Sequence, residues 1–152
     1  MNAPKRIIRV AREDDISVVT AFGNESTNDE RREFVRRALD GGNAYVVEQN
    51  GRAIAVGILE YTFFENGFVS LVLVDPRERR MGVGETLLQH MVSACRTSKI
   101  FSSTNLRNGP MHALFSKLGF EVTGMIHNLN PKDPEVIYYK ALKPDVSPPS
   151  EH

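Results

Sequence analysis

The chain has 152 residues, 41% apolar and 25% charged, an ordinary mix for a globular fold and long enough to bury a core without disulfide staples. Lysine plus arginine balances aspartate plus glutamate at 19 each, so the basic excess expected of a nucleic-acid binder is missing. Cys95 is the only cysteine, which excludes an internal disulfide and fits a reducing cytoplasm. "MNAPKRIIRV" lacks the apolar core of a signal peptide, and no apolar run is long enough to span a bilayer.

"RIIRVA" predicts a first strand, and "EDDISVVTAF" a helix with its acids in the first turn, where the helix dipole favours them. "DERREFVRRAL", closed by Gly41-Gly42, predicts a second helix. "AYVVEQ" and "AIAVGILEYTFF" predict strands separated by the turn "NGR". Asn66-Gly67 predicts a second hairpin turn leading into "FVSLVLV", which completes an antiparallel meander. "GETLLQHMVSACRTS" carries Leu87, Leu88, Met91, Val92 and Cys95 at helical spacing. With the strands on either side, "FVSLVLV" and "KIFSST", it makes a strand–helix–strand unit, which favours a parallel pair. A short helix, "PMHALFSKL", and two closing strands, "FEVTGMI" and "EVIYYKAL", follow. The expectation is one mixed α/β domain over residues 1–142 and a frayed tail, "KPDVSPPSEH", over 143–152.

The stretch "ERRMGVGETLL" places two arginines and a Gly-x-Gly at a strand-to-helix junction. A helix start offers unpaired N–H groups and partial positive charge, and glycines let a ligand approach the backbone. Arg77, Arg79 and Arg80 add formal charge, so the segment reads as an anion cradle suited to phosphate. No lysine follows Gly84, which excludes the ATP/GTP loop. Leu87 stands where the dinucleotide fingerprint needs its third glycine.

From Val74 to Leu88 the sequence "VDPRERRMGVGETLL" resembles the acetyl-CoA-binding motif of the GNAT N-acetyltransferases, Arg/Gln-x-x-Gly-x-Gly/Ala, with Arg79, Gly82 and Gly84 at its defining positions. "NGPMHALFSKLGF", from Asn108 to Phe120, resembles the family's second motif, and the resemblance runs over roughly residues 6 to 142. It implies the GNAT acyl-CoA N-acyltransferase fold: α/β, with a mixed, mostly antiparallel central sheet of about seven strands flanked by about four helices. It also implies transfer of acetyl from acetyl-CoA, the co-substrate, to a primary amine of a small molecule, a peptide N-terminus or a lysine. Carried over, the N–H groups of Arg79, Arg80, Met81, Gly82, Val83, Gly84 and Glu85 hold the pyrophosphate. Backbone groups of Val72, Leu73 and Val74 pair with pantetheine in a gap between splayed strands, and those of Leu73 and Val74 face the acetyl oxygen. Asn108 is a contact to the pantetheine arm, or a helix N-cap, or both. Phe115 stands in the cofactor-binding helix where many members carry a tyrosine that protonates the leaving thiolate. Phenylalanine has no proton to give, and Ser116 and His112 are turned away from it by helical spacing. The resemblance leaves the oligomeric state open, with a homodimer among the states it admits. It leaves two other activities open: a CoA-binding module without turnover, and an acyltransferase for a longer acyl chain.

The attacking amine must lose a proton. With Asn66-Gly67 as central turn residues, Glu65 pairs with Phe68 and Glu60 falls opposite Leu73, so Glu60 is the candidate base, acting through water. An ordinary surface carboxylate is the plainer alternative, and a one-residue slip turns Glu60 to the other face. Asn128, Asn130, Asp133 and Glu135 are either acceptor-recognition groups or turn formers. Tyr138 and Tyr139 alternate across a strand, so at most one faces any pocket. His90, His112, His127 and His152 have no metal-ligand spacing, and no metal is expected.

Overall fold

The computed structural model describes residues 5–23 and 28–143. The tail expected over 143–152 lies, after Lys143, outside the described residues, and so does His152. Among the described residues seven strands form a mostly antiparallel sheet, accompanied by four helices, in the order the sequence predicts.

By its contacts the chain divides into two compact units. The first holds the residues up to Glu60 together with Val69–Ala94. It comprises β1 (Arg6–Val10), α1 (Asp15–Thr20), α2 (Asn28–Asp40), β2 (Ala44–Gln49), most of β3 (Arg52–Phe63), most of β4 (Asn66–Val74) and α3 (Val83–Ala94). The second holds Tyr61–Phe68, the tip of the β3–β4 hairpin, and the residues from Cys95 onward. These form β5 (Lys99–Asn105), α4 (Gly109–Lys117), β6 (Glu121–Ile126) and β7 (Glu135–Ala141).

In the first unit the strands lie in the order β1-β2-β3-β4, and β2 is antiparallel to both β1 and β3. β3 reads as an unbroken apolar run because both its faces are covered: every residue from Ala53 to Leu59 is buried. On one face Val56 and Ile58 join Ile16 and Val19 of α1 and Val35 and Ala38 of α2 in a single cluster, against which Leu71 and Leu73 of β4 pack. On the other face α3 approaches closely. A Cβ at Gly57 would stand 2.6 Å from Met91 Cε and 3.1 Å from Leu87 Cδ2, so a larger residue there would force the Met91 and Leu87 side chains of α3 to repack. Arg9 grips buried Asp15 through both carboxylate oxygens (2.8 and 2.9 Å) and also reaches Glu48, which ties β1, β2 and the start of α1 together. Burial pushes the Asp15 carboxyl upward, but the hydrogen bonds from Arg9 and Arg12 outweigh it and hold the group below the ordinary aspartate range.

In the second unit the order is β5-β7-β6, all antiparallel. Its core packs Phe115 of α4 against Tyr138 of β7 and against Phe120. Among the described residues no helix is long and apolar enough to cross a membrane.

The second hairpin turns two residues earlier than its Asn-Gly pair predicts. Phe64 and Glu65 occupy the left-handed positions (φ 50° and 66°), and Asn66 and Gly67 already belong to β4. Local propensity is overridden by tertiary contacts. Phe63 packs on Phe68 and Phe101, with ring centroids 4.9 and 5.0 Å away, while the Gly67 N–H donates to Thr97 Oγ1 and Asn66 Nδ2 to the Phe64 carbonyl. Phe64, whose ring meets Phe63 edge-on with centroids 5.1 Å apart, is still left 84% exposed at the tip.

Candidate functional site

The junction between β4 and α3 is built from its first residue. Asp75 is 2% exposed, and its N–H donates to the Ile54 carbonyl at 2.8 Å, which extends the sheet bonding past the end of β4. Its carboxylate accepts from the Arg77 N–H at 3.0 Å and so caps a single 3-10 turn, Pro76–Glu78. The Arg77 and Arg52 guanidiniums close on the same carboxylate at 3.0 and 2.5 Å. The Arg77 hydrogen bonds, with that of Arg52, hold the Asp75 carboxyl far below its ordinary range against the opposing effect of burial.

After this anchored turn the chain runs extended at Arg79, is left-handed at Arg80 (φ 67°) and again at Gly82 (φ 77°), and enters α3 at Val83. Nothing stands within 4 Å of where a Gly82 Cβ would sit, so the backbone conformation, not crowding, requires glycine there. Gly84 is different. Its φ is ordinary and a Cβ would meet Val74 Cγ2 at 3.6 Å and Val72 Cγ1 at 3.8 Å, which is normal contact. The N–H groups of Val83 and Gly84, in the first turn of α3, have no carbonyl of their own helix to bond. The Gly82 carbonyl instead accepts from the Thr86 N–H and from Thr86 Oγ1. Arg6 of β1, which the sequence reading passed over, donates to the Met81 carbonyl at 3.2 Å and pins the loop from outside. Only its place in the first strand was legible; nothing in "RIIRV" announces a contact 75 residues away.

The three arginines read together in the sequence separate. Arg77 is committed to Asp75, whereas Arg79 and Arg80 are exposed and make no ion pair among the described residues. In β4 the residues Val72, Leu73 and Val74 are all half-buried, in contrast to the enclosed run of β3. Val72 and Val74 point toward Gly84, and Leu73 toward the α1–α2 cluster.

In the second unit Asn108 is the N-cap of α4: its Oδ1 accepts from the Met111 N–H at 3.3 Å, and its carbonyl from the His112 N–H. Phe115 is fully buried, its ring stacked on Tyr138 with centroids 4.6 Å apart. The side chain thus packs the core, and the expected place of Phe115 among the cofactor-binding residues rests on the family resemblance alone. His112 is turned away from Phe115, as helical spacing requires, yet it is not idle. Its Nε2 lies 3.0 Å from the carbonyls of Asn105 and Leu106, which can only accept, so that nitrogen carries the proton. In the neutral ring Nδ1 then accepts from the Tyr138 hydroxyl, 2.6 Å away. Of the adjacent tyrosines, Tyr138 is the buried one and Tyr139 is half-buried against Phe101.

The revised turn also moves Glu60. Counting outward from Phe64-Glu65, with no bulge, places Glu60 opposite Val69, not Leu73, although Glu60 keeps the alternation that puts Val56 and Ile58 on the face of Leu71 and Leu73. Four residues of strand separate the two partners, roughly 13 Å. The polar residues before β7 bind one another. Asp133 Oδ1 accepts from the Arg107 N–H, Asn130 Oδ1 from the Lys132 N–H, and Glu135 from Ser103 Oγ at 2.6 Å and Asn105 Nδ2 at 3.2 Å. Asn128 is left-handed at φ 75° and exposed. Cys95 is buried, its Sγ 3.3 Å from Thr97 Oγ1, and His90 packs edge-on against Tyr45. Among the described residues no three His, Cys, Asp or Glu side chains gather as a metal site.

Comparison with known proteins bears on this arrangement. The model of the acetyltransferase (GNAT) family matches residues 6–120, which include the β4–α3 junction and the whole of α4. A GNAT-family acetyltransferase of Bacillus cereus is 33% identical, over 90% of this chain and 97% of that one, with a TM-score of 0.84. A Salmonella typhimurium acetyltransferase solved with its cofactor acetyl-CoA is 19% identical over 94% of this chain and 97% of that one, with a TM-score of 0.76. The Escherichia coli ribosomal-protein-S18-alanine N-acetyltransferase is 16% identical over 91% and 94%, with a TM-score of 0.75. At those last two identities the likeness is one of fold. No curated protein sequence matches the chain.

Proposed function

The chain belongs to the GNAT acetyltransferase family, and from that premise we propose that it is an N-acetyltransferase carrying acetyl from acetyl-CoA to a primary amine in a ternary complex. One observation carries the reading: left-handed backbone at Arg80 and Gly82 delivers the chain to an α3 start where the Val83 and Gly84 N–H groups have no carbonyl of their own helix to bond, with the exposed Arg79 and Arg80 beside it. Such a start binds anions, and a pyrophosphate matches its charge. In this proposal the N–H groups of residues 79–85 hold the pyrophosphate. The half-buried backbone of Val72, Leu73 and Val74 lies along pantetheine, with Leu73 or Val74 donating to the acetyl oxygen. The free amide nitrogen of Asn108 contacts the arm while its oxygen caps α4.

The chemistry needs little else. The amine nitrogen attacks the thioester carbonyl, the carbon–sulfur bond breaks, the thiolate departs and takes up a proton, and the ammonium proton passes to a base. Positioning supplies most of the acceleration. Glu60 stays in the proposal as a base acting at a distance through water.

A specific observation favours a second reading, a CoA-binding module without turnover: the family's proton-donor position is a buried phenylalanine. Calorimetry with coenzyme A, followed by thioester loss from acetyl-CoA across a panel of primary amines, tests both. Heat on binding together with amine-dependent loss is expected. Binding with no loss under any amine favours the module, and no binding overturns both. Repeating the assay with propionyl- and succinyl-CoA sets the acyl preference, with acetyl expected to be fastest.

A further inference from the structure

A cavity of about 420 Å³ opens in the first unit, beside the Pro76–Glu78 turn that precedes the Gly82 loop. Ligand sites fall in this size range. One wall is apolar: Val18, Ala21 and Phe22, at and just after the end of α1. The other is formed by Arg52, Asp75 and Arg77, with Pro76 between the last two.

Charge and bonding on that second wall are uneven. Two guanidiniums meet one carboxylate, which leaves one positive charge over. Both oxygens of Asp75 are fully engaged: Oδ1 accepts from the Arg77 N–H and Nε, Oδ2 from Arg52 Nη2 and Arg77 Nη2. Donors remain free. Arg52 uses only Nη2, so its Nε and Nη1 make no hydrogen bond among the described residues, and neither does Nη1 of Arg77. The Asp75 carboxylate is 3% exposed, whereas the Arg52 and Arg77 side chains around it are 43% and 70% exposed, so the guanidiniums are far more accessible than the anion that holds them. Guanidinium donors beside buried aspartate are pre-organised, because Asp75 fixes both side chains before any ligand arrives.

We propose that this cavity binds a small monoanionic carboxylate carrying an apolar body, its carboxylate on Arg52 and Arg77 and its body on Val18, Ala21 and Phe22. Two guanidiniums around one carboxylate, with Glu78 also acting on Arg77, leave at most a single positive charge for a ligand, which suits a carboxylate better than a phosphate dianion, and the fork of a guanidinium matches its two oxygens. Its lining includes none of residues 79–85, and binding there does not depend on acetyl transfer.

The test is calorimetric titration of the full chain with 4-phenylbutyrate, with and without saturating coenzyme A, using 4-phenylbutanol as the uncharged control. Expected are one binding site for the acid, no detectable binding of the alcohol, and about tenfold weaker binding in Arg52→Gln and in Arg77→Gln. Each variant leaves Asp75 one arginine partner. Ala21→Glu, an exposed change that sets a like charge at the apolar wall, is expected to weaken the acid by a similar factor with an unchanged melting temperature. The proposal is overturned by silence in the wild-type chain, by equal binding of the alcohol, by acid binding indifferent to all three substitutions, or by displacement of the acid by coenzyme A. Failure of coenzyme A to bind would count against the acetyltransferase reading alone.

Discussion

The two helices that follow the family motifs begin in opposite ways. α4 starts on Asn108, whose side chain bonds the Met111 N–H, and Pro110 removes a second donor from the first turn. Its own sequence satisfies that end. α3 starts on Gly82, which has no side chain to offer, after a loop bent left-handed at Arg80 and flanked by exposed arginines. A helix start closed by its own cap is complete as it stands; one left open beside uncommitted positive charge is suited to an external anion. The arginines repeat the contrast within a few residues. Arg77 neutralises Asp75 and secures the turn, whereas Arg79 and Arg80 have no acidic partner among the described residues.

The hardest blow to this comparison is to spoil the open end alone. Gly82→Val forces a β-branched residue into φ 77°, where no neighbour crowds it but its own backbone does. Coenzyme A affinity is expected to fall by about 100-fold, ~2.7 kcal/mol. Undiminished binding would end the phosphate-loop assignment. Gly84→Ala is the milder companion: its Cβ fits at normal contact distances, so the melting temperature should hold and any lost affinity reports how closely the ligand approaches. Next in size, Arg79→Ala with Arg80→Ala should weaken coenzyme A by about tenfold, ~1.4 kcal/mol, and flatten its salt dependence. Arg77→Ala should lower the melting temperature and leave coenzyme A affinity within about twofold, if its role is the anchored turn. The reverse pattern would show that the division among the arginines is wrong.

These contrasts were unequally legible. The order of strands and helices follows from period and punctuation: the unbroken "AIAVGIL" of β3 and the spaced Leu87, Leu88 and Met91 of α3 announce their burial. The site's open end was legible too, because Gly-x-Gly after paired arginines names a backbone geometry and a charge. What escaped is what long-range packing decides. Asn66-Gly67 has the stronger local turn preference, yet the aromatic contacts of Phe63 and the bond from Gly67 to Thr97 move the turn to Phe64-Glu65. The Arg6 contact to Met81, the division of labour between Arg77 and its neighbours, and the pairing of His112 with Tyr138 each depend on residues far apart in sequence.

The closed end gives a finer test. Asn108→Ala removes the cap and should cost about 1 kcal/mol of stability, a drop of roughly 2–4 °C in melting temperature for a chain of this size. Asn108→Asp keeps an acceptor for the Met111 N–H but removes the amide donors. If Asn108 also contacts the pantetheine arm, the aspartate variant should melt like the wild type and bind acetyl-CoA about fivefold more weakly. Equal affinity reduces the residue to a cap.

The smallest effect belongs to Glu60. Opposite Val69 it stands roughly 13 Å along the sheet from the residue it would serve, far beyond direct proton transfer and within reach only through a chain of waters. Glu60→Gln preserves size and hydrogen bonding while removing the charge. A base acting at that remove should lower kcat/KM for acetyl-CoA and a responsive amine by about threefold at neutral pH. The deficit should shrink as rising pH delivers the amine already deprotonated. A profile that coincides with wild type at every pH would leave Glu60 an ordinary half-buried carboxylate. A loss of 100-fold or more would mean that the strand pairing carries a bulge between the turn and Leu73 that brings the carboxylate to the acetyl group after all.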